Sequence, residues 1–180
     1  MQLEETREAL NKFAKYVVQE SRNNLDRSDK NVSKELYNSI GYDLTVSKNS
    51  FGLDLVMQDY GIFQDKGVKG KTSSAKAPNS PFQFGSGTGK KGGLTNGIDK
   101  WVRRRRFQFR DKKGKFMSYQ STALLITRSI YNKGIKPSMF FTKPFEKAFK
   151  GLNEELIQAY ALDVQKFMET TIKDNFNKKQ

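Results

Sequence analysis

Between Phe145 and Thr171 the apolar residues step by three or four: Phe145, Phe149, Leu152, Leu156, Tyr160, Val164, Phe167 and Thr171. A stripe sustained over about seven turns is one face of an amphipathic helix, and that face must lie against something. Pro144 stands at its start, where a missing N–H costs least. A partner is offered at the other end of the chain. Leu3, Leu10, Phe13, Ala14, Val17 and Leu25 recur at helical intervals, with Glu4, Glu5 and Glu8 near the N-terminal dipole, so a helix is expected over 3–25.

Smaller elements separate these two helices. In "VSKELYNSI" Val32, Leu36 and Ile40 lie four apart, the mark of a short helix, and Gly41 is expected to end it. "YDLTV" alternates Tyr42, Leu44 and Val46; "FGLDLVM" alternates Phe51, Leu53, Leu55 and Met57. The "SKNS" turn between them makes a hairpin. The expected fold class is α+β, a small, mostly antiparallel sheet packed on one face by the long N- and C-terminal helices. It is read as a single domain over 1–180, with a core of 1–67 and 137–176 and a long basic insertion at 68–136.

Charge marks that insertion. From Val68 to Lys136 there are 17 Lys and Arg against two acids, Asp99 and Asp111, a balance of +15. The rest of the chain, with 16 basic and 17 acidic residues, balances at −1. A shift this sharp implies a separate partner for the middle, a polyanion. Within it "KTSSAKAPNSPFQFGSGTGKKGG" is rich in Ser, Gly and Pro and is expected to be mobile. "LTNGIDKWV" offers Leu94, Ile98, Trp101 and Val102 as one short helical face. "RRRRFQFRDKKGKFMSY" reads as a hairpin, with Phe107, Phe109, Phe116 and Met117 flanking a "DKKG" turn. "STALLITRSIYNKG" reads as a helix with Ser121 as its cap and Gly134 past its end.

Composition narrows the chemistry. The chain has no cysteine and no histidine, which removes thiolate and imidazole metal sites, Ser-His and Cys-His nucleophile pairs and the commonest general base. No apolar run approaches the roughly 20 residues of a membrane span, and the charged N-terminus lacks a signal-peptide core. "GSGTGKK" is one residue short of a phosphate loop between Gly85 and Gly89, and Lys91 stands where Ser or Thr would reach magnesium. Asp54, Asp59 and Asp65 are the carboxylates available for a magnesium-dependent nuclease cluster; on an extended strand Asp54 and Asp59 point to opposite faces. No catalytic residue, cofactor or metal is expected. The candidate cationic surface is Arg103, Arg104, Arg105, Arg106, Arg110, Lys112, Lys113 and Lys115. Arg suits phosphate oxygens, and the interleaved aromatics are expected to pack the insertion while the charge faces phosphate without reading sequence.

Outside the insertion three motifs resemble those of the tail-completion, or head-to-tail joining (neck), proteins of long-tailed bacteriophages. They are "ELYNSI" (Glu35–Ile40), "YGIFQDKG" (Tyr60–Gly67) and "MFFTKPFEKAF" (Met139–Phe149). The resemblance covers roughly Leu3–Gly67 and Ser138–Ile172, and departs in the long span between the second and third motifs. It implies a non-enzymatic virion protein, assembled in the host cytoplasm as a homo-oligomeric neck ring that lines or surrounds the DNA path. Its implied partners are copies of itself, neighbouring head-connector and tail proteins, and DNA without sequence specificity; no membrane is involved. It also implies that "YGIFQDKG" closes the sheet at a subunit contact formed by Tyr60, Phe63, Gln64, Gly67, Phe140 and Phe141. Tyr60 and Phe63 would pack on the C-terminal helix, and Gly67 would permit the turn. The alternatives are a tail-terminator or tail-tube protein, a sequence-independent nucleic-acid-binding accessory protein, and, third, a carboxylate nuclease.

Overall fold

A computed structural model describes residues 3–28, 33–47, 50–86 and 93–177. The fold is α+β. The helices and strands follow in the order α1 (Glu4–Arg27), α2 (Glu35–Ser39), β1 (Gly41–Val46), β2 (Phe51–Val56), α3 (Gly61–Lys66), α4 (Gly93–Arg104), α5 (Tyr119–Lys133) and α6 (Thr142–Asn177). The chain forms two compact units, one of residues 1–28, 35–58 and 140–180, the other of residues 29–34 and 59–139. The second unit thus begins before Val68 and takes in the Tyr60–Gly67 corner together with the basic segment.

The first unit is an antiparallel pair of long helices with a hairpin laid against it. All six apolar positions expected to line α1 are buried. Phe13 and Val17 meet Leu152 of α6, with Phe145, Ala148 and Leu156 packed around them. A second cluster joins Val18 and Leu25 to Leu36, Ile40 and Phe140. Leu36 is buried on α2 as expected, Ile40 is buried just past the end of that helix, and Val32 lies outside the described residues. Gly41, expected to end the short helix, is already the first residue of β1.

Strands β1 and β2 pair antiparallel with Tyr42 opposite Leu55, Leu44 opposite Leu53 and Val46 opposite Phe51. This register puts the alternating apolar residues on one face, and Tyr42, Leu53 and Leu55 contact the helical clusters. Ser47 N–H donates to the Ser50 carbonyl at 2.7 Å to close the turn, whose tip lies outside the described residues.

Helix α6 faces inward by a different edge than its aromatics suggest. Past its first turn the buried positions are Leu152, Ala159 and Asp163, whereas Phe149, Tyr160 and Phe167 are each about half exposed, Phe149 at 47%. Small residues at Ala148 and Ala159 let the helices approach, and the large rings fall on the flank, where Phe149 stacks on Phe145 at 5.5 Å.

Asp163 sets the alignment of the pair. It is 2% exposed, and its two carboxylate oxygens accept from Glu5 N–H (3.0 Å), Thr6 N–H (2.9 Å) and the Thr6 hydroxyl (2.8 Å). Leu3, at the N-cap of α1, has no side chain that can accept from those amides, so a carboxylate from α6 does the capping. Burial pushes the Asp163 carboxyl up, but the Thr6 and Glu5 hydrogen bonds and the nearby Lys166 charge outweigh it and hold the group below the ordinary carboxylate range. Lys166 reinforces the contact by donating to Glu5 at 2.6 Å.

Three substitutions check this packing. Leu152→Ala should cost about 2–5 kcal/mol in denaturant melts, as for a fully packed leucine. Phe149→Ala should cost about 1 kcal/mol or less, because roughly half of its surface is already in water. Asp163→Asn should cost about 2 kcal/mol at neutral pH. Because the folded carboxyl is held below its unfolded value, its contribution is complete above about pH 4 and is lost as pH falls through the lowered value. The gap between wild type and Asp163→Asn should therefore close on acidification; a gap constant from about pH 7 to pH 2 would show that the charge is not what caps α1.

Candidate nucleic-acid interface and the glycine corner

The second unit is built around two backbone segments that cross at close range. Val68 N–H donates to the Ile135 carbonyl (3.0 Å) and Ile135 N–H returns a bond to Val68 (2.8 Å). Lys71 and Thr72 then donate to the carbonyls of Tyr131 and Asn132. Gly134 ends α5 at φ +82°, and a Cβ there would overlap the Val68 carbonyl; one on Gly70 would overlap that of Asn132. Gly67, at φ +71°, makes the turn expected of it, since a Cβ would stand 2.6 Å from the Ile135 oxygen.

This crossing corrects the reading of the Ser/Gly/Pro segment as mobile. Lys69 N–H donates to Phe82, Phe84 N–H returns to Lys69, and the buried Ser80 hydroxyl donates to the Gly67 carbonyl at 2.7 Å. Residues 71–86 are held by backbone bonds that hydrophobic periodicity does not report. The phosphate-loop candidate runs into residues 87–92, outside the described set.

The corner itself is a helical turn rather than a sheet closure. Gly61–Lys66 is α3, and Phe63 lies edge-on to Phe82 with ring centroids 4.7 Å apart, so its aromatic partner belongs to the insertion. The expected subunit-contact residues separate into two groups. Tyr60 and Phe63 are exposed, as is Ile62, which the motif-based set leaves out; Gln64 is half-buried and its carbonyl accepts from Ser138. Phe140, in contrast, is 2% exposed inside the first unit's core, and Phe141 stacks on Phe145 at 6.0 Å. Gly67 is buried and serves the backbone turn.

All eight candidate cations are exposed. They are set on three pieces of structure. Arg103 and Arg104 occupy the last turn of α4, where Arg103 Nε donates to Asp99 at 2.8 Å across one turn and its guanidinium lies over Tyr119. The hydrogen bond to Asp99, then the Asp99 charge, raise the Arg103 pKa above its ordinary value. Arg106 adopts φ +52°, with Phe107 N–H bonding to the Val102 carbonyl and Arg106 N–H to that of Arg103. That pair of bonds is a Schellman ending, in which the left-handed position is ordinarily glycine. Here an arginine occupies it.

The predicted hairpin is present in short form. Arg110 bridges Phe116 across a turn in which Asp111 Oδ1 accepts from Lys113 N–H and Lys115 N–H, both at 2.9 Å. Gly114 takes φ +79°. The Lys112, Lys113 and Lys115 side chains project from this turn into solvent while its backbone is fixed from below. The aromatics do not bury as expected: Phe107, Phe109 and Phe116 are all exposed. They associate at the surface instead, Trp101 with Phe107 (6.1 Å), Phe107 with Phe109 (5.2 Å), and Arg110 over Phe116 at 4.1 Å. The unit's buried side chains are too small to enclose them; among the described residues Asp65, Val68, Ala77, Ser80, Val102, Thr122 and Ala123 form its interior. The cap of α5 is Ser118, one turn ahead of the expected Ser121, whose N–H it accepts at 3.1 Å.

Asp54, Asp59 and Asp65 belong to no carboxylate group fit for a metal ion. Asp54 sits on β2 opposite Asp43, Asp59 follows the strand, and Asp65 is buried in α3. Among the described residues no three acidic side chains are grouped to hold a metal ion, and no helix is long and apolar enough to cross a membrane. Compared with known protein families, curated proteins and solved structures, the chain matches none.

The left-handed arginine generates a test. Arg106→Gly should stabilise the protein by about 1 kcal/mol in denaturant melts, since glycine takes that conformation without a Cβ penalty. An unchanged or lowered stability would mean that the Arg106 side chain makes up for its backbone.

Proposed function

We propose that this chain is a structural virion protein, a subunit of a homo-oligomeric neck ring that joins the head connector of a long-tailed phage to its tail and surrounds the DNA path. The observation that carries the reading is the exposure of all eight cations on α4, the turn that ends it and the hairpin, in a segment with only two acids to neutralise them. A rigid turn that holds lysines outward by backbone bonds offers charge without shape, which suits phosphates met one after another and not particular bases. The resemblance to neck proteins supports the rest. Its three motifs fall on α2, on α3 with Gly67, and on the start of α6, which are joints of the fold and not its loops. Location in the virion, contacts with connector and tail proteins, and the absence of catalysis follow from this reading.

Filter binding of unrelated DNA duplexes tests it. Binding should be equal across sequences, with log affinity falling against log salt. Replacing Lys112, Lys113 and Lys115 with Gln should flatten that slope by nearly 3, at about 0.9 for each phosphate no longer neutralised, while the turn stays folded on Asp111. Electron micrographs of the purified protein should show rings. DNA binding by a particle of monomer mass would favour the accessory nucleic-acid-binding protein. No binding near about 50 mM salt would assign the hairpin to an acidic protein neighbour.

A further inference from the structure

Helix α6 continues for 14 residues beyond Asp163, the position that meets the first turn of α1, and α1 itself begins at Glu4. That extension is about 21 Å long. An isolated stretch of this length is marginal as a helix unless a face is covered. Its outer face is apolar. Ile157, Ala161, Val164, Met168 and Thr171 repeat at intervals of four and three, the spacing of a helix-pairing seam. Tyr160, Phe167 and Ile172 border them. Ile157 is 71% exposed, Tyr160 49%, Phe167 48%, Met168 57% and Ile172 55%. On a helical projection this arc carries no charged residue from Ile157 to Ile172 and lies beside, not on, the Leu152–Ala159–Asp163 face that meets α1.

The sequence of the arc says what covers it. About Val164 it is complementary to its own reversal: Ala161 falls opposite Phe167, Tyr160 opposite Met168, and Ile157 opposite Thr171. Each bulky side chain meets a smaller or more pliable one, the requirement of a two-fold, self-complementary contact. Past Asp163 the sequence of α6 carries Lys166 and Lys173 against Glu169 and Asp174, a balance of zero. A strongly charged partner gains nothing there, and a second copy meets no net repulsion. The five exposed side chains offer ~100 Å² each, hence on the order of 500 Å² per copy and ~1,000 Å² in total, which reaches the lower bound for a biological interface.

We propose that residues 157–172 of α6 form a contact between two copies of this chain, paired antiparallel about Val164. It is separate from the Tyr60–Gly67 corner and does not depend on the neck-ring reading or on DNA. An interface of this size lies at the weak, transient end, so association should depend on protein concentration.

The test uses the full chain. Light scattering should give a concentration-dependent mass above that of the monomer, and Met168→Glu, by removing one two-fold contact, should halve the mass of the associated species with helical circular dichroism and DNA affinity per subunit unchanged. Since the chain has no cysteine, Val164→Cys supplies a lone thiol on the two-fold axis. Mild oxidation should convert that variant to a covalent dimer, whereas Glu169→Cys, on the far side of the helix, should remain monomeric on a denaturing gel. This readout serves even if Met168→Glu unfolds. A wild type monomeric at every concentration would overturn the proposal, as would an association that Met168→Glu leaves intact or equal cross-linking of the two cysteine variants. The lysine-to-glutamine changes in the hairpin should leave mass and cross-linking untouched, so failure of the DNA reading and failure of this contact are told apart.

Discussion

A carboxylate buried 157 positions away from the amides it accepts is the contact on which the first unit depends. Apolar faces alone allow two helices to slide, because one leucine replaces another with little loss. Asp163 does not allow it. Its oxygens have partners only when they stand over the Glu5 and Thr6 amides, and leaving a buried carboxylate unmet costs more than any single apolar contact there contributes. With that register fixed, Leu152 falls between Phe13 and Val17, and the hairpin finds its floor. The first and last helices are thereby joined within the first unit.

The second unit follows a different rule. Its side-chain interior is slight, and backbone hydrogen bonds between the Val68–Thr72 and Tyr131–Ile135 segments hold it together. Such bonds require close approach, which explains glycine at 70 and 134 on the two sides of the crossing. A frame of this kind needs little apolar surface, so rings and cations remain at the surface. That division follows from the composition. Seventeen basic residues over 68–136 could not be enclosed in any core, and a frame held by main-chain bonds does not ask them to be.

Legibility in the sequence tracks these two rules. Period and alternation locate α1, the hairpin strands, α4 and the body of α5, because each exposes one face to water and hides the other. The same logic misjudges α6, where it takes the largest residues to be the buried ones. Phe149 and Tyr160 border the seam while Ala148 and Ala159 lie in it, and Asp163 escapes notice because a charge reads as surface. Its spacing holds the signal, since Asp163 stands four residues after Ala159 and on its side of the helix. The order in residues 71–86 has no periodic mark at all, being made by main-chain bonds to distant residues. Of the candidate cationic site, identity and exposure are legible. The Schellman ending that divides the arginine run is hidden, because arginine, not glycine, takes the left-handed position.

The hairpin and the α6 arc are exposed surfaces that differ in kind. The hairpin attracts through charge, which is long-ranged, tolerant of sequence and weakened by salt. The α6 arc is uncharged and patterned, so its attraction is short-ranged, needs a matched partner and persists at high salt. A single surface carrying both characters would lose specificity to charge, since a cluster of lysines binds any polyanion whatever shape lies beside it. With one in the basic unit and the other on a neutral helix, the two proposed contacts would respond to different conditions. Under the two proposals, salt that released the first contact would leave the second in place, because only the first is made by charge.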